Sequence, residues 1–208
     1  IAITLYSAFS GYLFLTALYL QEVRGLAAFE TGLYTLPLAL AMTACAPISG
    51  RLIGSHGTRP SLVTAGAAIS ASALCLTRLD HATPLAWLVV IYVILGVGVG
   101  LGNPPITHTA VSGMPRARAG LAAAVASTSR QVGAALGVAL AGTIARPGST
   151  GRGAGAAFPQ ATHAFWWLVV GIGLAISGLG VLSSGRWARA SVARVATLLD
   201  DDRAPDPD

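Results

Sequence analysis

One charge stands alone inside a long apolar stretch. Arg130 lies ten residues into GLAAAVASTSRQVGAALGVALAGTIA, which runs from Gly120 to Ala145 with no other charged residue. As a helix rising 1.5 Å per residue, this stretch could cross the ~30 Å hydrocarbon core of a bilayer and hold Arg130 roughly 15 Å deep. A bare guanidinium at that depth costs about 3 kcal/mol or more, so it must face water, protein or a partner. Three roles fit: binding an anionic group, pairing with an acid contributed from elsewhere, or bonding helix-end carbonyls and water. A cationic ligand would not favour a bare Arg in its pocket. A second set is Tyr12, Thr16 and Tyr19, at i, i+4 and i+7 of the first apolar stretch. On one helix face they combine aromatic surface with hydroxyls, which suits cationic amphiphiles through cation–π contact. The competing role is the aromatic belt at a membrane interface, which explains Tyr19 better than Tyr12. Asn103 and Gln131 are uncharged polar groups inside apolar stretches. They either line a small-molecule cavity or hydrogen-bond between helices.

The remaining titratable groups sit at edges. Glu22, Glu30 and Asp80 are the only acids before residue 200, and none is deep in an apolar stretch. Coupling to protons calls for a membrane-embedded group, usually a carboxylate. Such a site is expected outside this chain, with Glu22 or Glu30 at a boundary as the other option. His56, His81, His108 and His163 all fall at stretch ends. His108 could titrate near neutral pH, but an interfacial place accounts for it. No Ser/His/Asp set and no metal-ligand spacing is visible, so no enzyme, metal or cofactor is expected. The run Gly96-Val97-Gly98-Val99-Gly100-Leu101-Gly102-Asn103-Pro104-Pro105 faintly resembles a phosphate-cradling loop, but that use needs a preceding strand and a βαβ unit. Gly96/Gly100 and Gly98/Gly102 instead form two small-xxx-small rows, for close packing on two sides of one helix. Pro104 and Pro105 are expected to break or bend that helix, which also allows a hinge. Gly133, Gly137 and Ala141 form a third row, whose expected partner is the fourth or the second stretch.

These residues imply a membrane bundle to position them. The chain is 54% hydrophobic and 10% charged, with mean hydropathy +0.68, whereas soluble domains carry about 25% charged residues. Its net charge of +5 comes from Arg alone, scattered between apolar stretches. That distribution follows the positive-inside rule and argues against nucleic acid. Cys45 and Cys75 both lie in apolar stretches, so no disulfide framework is supported. Six spans are read at about 1–20, 31–53, 61–76, 85–107, 120–145 and 164–183. The connector 146–163 is rich in Gly and Ser and reads as a flexible exposed loop. Residues 184–208 read as a cytoplasmic tail: an amphipathic segment from Arg186 to Leu199 with Trp187 at the headgroups, then a disordered acidic end. With both ends inside, the inner side holds Arg51, Arg59, Arg116, Arg118, Arg186, Arg189, Arg194 and Arg203. The outer side holds Arg24, Arg78, Arg146 and Arg152, so the bias favours a cytoplasmic C-terminus. Ile1 already belongs to an apolar stretch with no charged region before it. It does not look like a signal peptide, and the chain reads as the middle to end of a longer polypeptide.

The loop after the second span adds a family resemblance. Gly50, Gly57 and Arg59 match the glycine, acid, basic, glycine, arginine loop of the major facilitator superfamily, with Gly54 and Ser55 at the two missing charges. That looks like the degenerate copy in the second half of such proteins. Tyr19-Leu20-Gln21-Glu22-Val23-Arg24-Gly25, Thr31-Gly32-Leu33 and Leu36-Pro37-Leu38 resemble the start of the C-terminal half of fourteen-helix drug:proton antiporters. Gly96-Val97-Gly98-Val99-Gly100, Arg130-Gln131-Val132-Gly133 and Gly137-Val138-Ala139 fit the same group. The likeness covers about residues 10 to 183. It implies an all-α, six-transmembrane-helix bundle, one half of the fold, built of two three-helix repeats. The first, second, fourth and fifth helices would face a cavity, and the third and sixth would face outward. It further implies a multi-pass protein of the cell membrane that exports amphipathic drugs in exchange for protons by alternating access, together with an N-terminal transmembrane half. Two alternatives remain: a same-fold transporter for a host metabolite or antibiotic, and a truncated, non-transporting membrane protein.

Overall fold

The computed structural model describes residues 1–78, 83–111, 119–145 and 154–182. Among them are six α-helices: α1 Ala2–Leu18, α2 Ala28–His56, α3 Thr58–Leu76, α4 Leu85–Val111, α5 Ala119–Ile144 and α6 Ala154–Leu182. Helices are what a bilayer demands, because each backbone N–H and C=O must be satisfied within the segment. Five of the six are long and apolar enough, by length and composition, to cross a membrane. The exception is α5, which has the length, 26 residues, but carries Ser127-Thr128-Ser129-Arg130-Gln131 at its middle.

Several boundaries differ from the sequence reading. α1 runs on through a π-helical turn, Tyr19–Val23, so the polar break begins only near Arg24. α2 starts at Ala28, where the Ala27 backbone N–H donates to Glu30 Oε2 at 3.0 Å. Glu30 is thus a helix cap, satisfying a donor at the chain's entry into α2. α2 and α3 are separated by Gly57 alone, whose φ of +77° is a backbone conformation natural to glycine. Gly50 lies within α2 and Arg59 in the first turn of α3, both exposed. The expected flexible connector 146–163 is corrected over its second half, because α6 begins at Ala154. Phe158 supplies a reason: it is fully buried, its ring centroid 5.8 Å from that of Tyr19. The tail 184–208 and the loop residues Asp80, His81, Arg116 and Arg118 lie outside the described residues.

The expected break at Pro104 and Pro105 is also corrected, since α4 continues to Val111. Pro105 has no N–H to offer the Leu101 carbonyl one turn earlier. Ser49 of α2 and Ser61 of α3 take over that acceptor, each with its Oγ 2.8 Å from Leu101 O. Both serines are fully buried. Neighbouring helices therefore satisfy the freed carbonyl and the helix need not end.

α1 packs along α5, α2 along α4, and α3 along both α6 and α4. Exchanging the first three helices for the last three turns the α1–α5 pair into α4–α2 and keeps α3–α6. That is the relation expected of two three-helix repeats. Glycines set the approach at each seam. A Cβ on Gly96 or Gly100 would strike the backbone of Leu38 or Met42 on α2, and one on Gly98 would strike Ile69 and Ala65 on α3. One on Gly102 would meet Leu5 and Ala65. The two small rows of α4 thus serve two different neighbours, as their spacing implies. The Gly133/Gly137 row meets the backbone of Ile3 and Ser7 on α1, not the fourth or second helix as expected. α2 and α5 stay the least covered, exposing Phe29, Leu33, Leu36 and Leu40 on one and Leu121, Val125, Leu136 and Leu140 on the other.

Candidate functional site

The tyrosine face of α1 turns inward. Tyr12, Thr16 and Tyr19 are at most 1% exposed, and their surroundings are protein on every side. The Tyr12 hydroxyl is 2.8 Å from Ser72 Oγ of α3, and Ser72 donates to Ile91 O of α4 at 3.1 Å. The Tyr12 ring stands edge-on to Trp166 of α6, centroids 5.4 Å apart, and to Tyr92 of α4 at 6.3 Å. Thr16 returns its hydroxyl to Tyr12 O at 2.8 Å. This face, expected to line a cavity, here carries a hub where four helices meet, and burial there needs paired hydroxyls. Tyr92 Oη is buried in the same place without a well-formed hydrogen bond among the described residues.

A different polar group forms nearer the start of α1. The Tyr6 hydroxyl donates to Asn103 Oδ1 of α4 at 3.2 Å. Arg130 of α5 stands one helical turn before Gly133, the glycine packed against Ile3 of α1. On the same turn, Ser7 Oγ donates to Gly133 O at 2.8 Å. The absence of a side chain on Gly133 lets the start of α1 lie against α5, the helix that carries Arg130. Tyr6, Asn103 and Arg130 are partly exposed. Asn103, expected as a cavity polar group, is thus bonded to α1, and Arg130, expected as an intramembrane charge, sits partly exposed on the helix packed along α1, while Gln131 is exposed. Tyr6 escaped the sequence reading. Its partner is 97 residues away, and nothing local in the sequence marks it out.

Chemically, these three residues offer one fixed positive charge, a hydroxyl and an amide. They suit an anionic or hydrogen-bond-accepting group entering between α1, α4 and α5. None is an acid, so they are not a carboxylate-based proton site.

The profile of the Major Facilitator Superfamily matches residues 1–138. The chain is 33% identical over 141 residues to the multidrug resistance protein Stp of Mycobacterium tuberculosis, covering 68% of this chain and 26% of that protein. It is 39% identical over 142 residues to the puromycin resistance protein pur8 of Streptomyces alboniger, covering 65% and 28%. It is 32% identical over 137 residues to the tetracenomycin C resistance and export protein of Streptomyces glaucescens, covering 66% and 26%. The chain thus spans about a quarter of the length of the curated relatives it matches.

Proposed function

Because the chain belongs to the Major Facilitator Superfamily, we propose that it forms the C-terminal six-helix bundle of a proton-coupled exporter of amphipathic drugs. The bundle occupies 1–183, and 184–208 is a cytoplasmic tail, as the Arg bias favours. It is a multi-pass membrane protein of a transporter family and not an enzyme. The uncovered apolar faces of α2 and α5 are where an N-terminal half docks, leaving the substrate path between the halves. Rocking of the halves about that path gives alternating access. The observation carrying this reading is the Tyr6–Asn103 bond between α1 and α4, beside the glycine seam that lays α1 along α5, the helix that holds Arg130. An embedded charge with polar partners on cavity-facing helices marks a substrate or ion path. Protons use a carboxylate outside this bundle, since Glu30 is engaged as a helix cap and Glu22 is exposed at a helix end.

A narrower reading, export of one particular antibiotic, draws on the relatives named for puromycin and for tetracenomycin C. Both are tested by expressing the full-length protein in an efflux-deficient host and measuring dye and antibiotic accumulation, with and without a protonophore. Lower accumulation of several chemically unrelated amphipathic compounds, abolished by the protonophore, supports multidrug antiport. Lower accumulation of one compound class alone supports the narrower reading. Accumulation equal to that of the empty host in every case overturns both.

A further inference from the structure

A cavity lies apart from the Tyr6–Asn103 pair, at the end of the bundle where α3 stops and α4 starts. Its volume is about 800 Å³, within the range of pockets that hold drug-sized ligands, roughly 300–1,000 Å³. The lining divides along the membrane boundary. Leu74, Cys75, Trp87, Ile91 and Trp167 belong to the membrane-spanning parts of α3, α4 and α6, whereas Arg78 and Thr83 lie just beyond them.

The lining is therefore a largely apolar floor within the bilayer, with His163 of α6 beside Trp167 as its polar member, and an arginine rim above it. Trp87 and Trp167 are half exposed, at 49% and 51%, and Leu74 beside them is 49% exposed, so the floor opens to the surroundings of the bundle. Tryptophan at that level is characteristic of the headgroup region. Arg78 is exposed and makes no ion pair or hydrogen bond through its side chain among the described residues. A second guanidinium, that of Arg24, reaches the rim and donates to Thr83 O at 3.0 Å.

We propose that this cavity binds a phospholipid with an anionic headgroup, the phosphate on Arg78 and the upper acyl chains over Trp87, Trp167 and Leu74. The shape of the lining commits the occupant. A soluble anion would use the rim and leave the apolar floor wet. A cationic amphiphile would fit the tryptophans but meet Arg78. Guanidinium groups pair phosphate through two parallel hydrogen bonds, and in a zwitterionic headgroup such as phosphatidylcholine the quaternary ammonium offsets the phosphate's charge, so an anionic headgroup is preferred. The inference rests on the placement of the helices in a membrane and not on the export reading, so either can fail without the other.

The test uses the protein in nanodiscs and reads tryptophan quenching by brominated lipids, phosphatidylglycerol against phosphatidylcholine. W87F and W167F variants assign the signal to the cavity. The expected result is quenching by brominated phosphatidylglycerol at a several-fold lower mole fraction than by brominated phosphatidylcholine. R78Q removes that preference and R78K keeps most of it, while inorganic phosphate in excess leaves it unchanged. Equal quenching by both lipids, or a preference untouched by R78Q, overturns the proposal. Displacement of the lipid signal by inorganic phosphate overturns the lipid as occupant. Arg78 is exposed at a helix end, so R78Q is expected to fold, and an unchanged melting temperature in detergent checks it.

Discussion

Tyr12 Oη of α1 lies 2.8 Å from Ser72 Oγ of α3, with both side chains wholly buried. The bond joins helices that are not neighbours in sequence, and Ser72 passes it on to the α4 backbone at Ile91. The contact makes the middle of α1 a structural hub of the bundle. Tyr12→Ala is expected to destabilise the protein by about 3–5 kcal/mol, as truncating a buried aromatic does. Tyr12→Phe removes the hydroxyl alone and costs about 1 kcal/mol. Thermal melts in detergent, read by size-exclusion chromatography, order the two. A Tyr12→Ala protein of normal melting temperature with altered compound selectivity would return Tyr12 to a cavity role.

The Gly137 seam offers a test with an internal control. A Cβ at Gly137 strikes the Ser7 backbone, while one at Gly142 on the same helix meets nothing within 4 Å. Gly137→Ala should cost about 1–3 kcal/mol by overpacking. Gly142→Ala should be neutral or slightly stabilising, because alanine is the better helix former. Equal melting temperatures for the two variants would contradict the α1–α5 pairing.

The carbonyl of Leu101 predicts a rescue. Replacing both Ser49 and Ser61 by Ala leaves it buried without a donor, at a cost of about 1–3 kcal/mol. Adding Pro105→Ala to that double variant returns a backbone N–H to the carbonyl and should recover much of the loss. If the triple variant melts no higher than the double, the serines are not answering the proline.

Transport is expected to follow charge at Arg130 more closely than shape. Arg130→Gln should lower efflux about tenfold or more, since a hydrogen bond to a charged group is worth about 1.5–3 kcal/mol. Arg130→Lys should retain a larger fraction, and Tyr6→Phe should fall between them. Efflux rates normalised to protein in the membrane make the comparison. Full transport by both Arg130 variants would remove the charge from the path.

Membrane character was legible in composition and in the long apolar stretches, because bilayer thickness and backbone satisfaction leave helices as the available form. The two glycine rows of α4 were equally legible, since helical period alone assigns Gly96/Gly100 and Gly98/Gly102 to different sides. Partners were not. The Gly133/Gly137 row states that something comes close, and only the packed bundle names α1. The same holds for Tyr12, Thr16 and Tyr19. Their spacing puts them on one face, but in a membrane protein an inward face, a cavity face and an interface face carry similar residues. Lipid and protein interior are alike apolar, so hydrophobicity does not tell them apart. Tyr6 meets Asn103 only because α1 and α4 come together in the bundle, a consequence of assembly that no single helix contains.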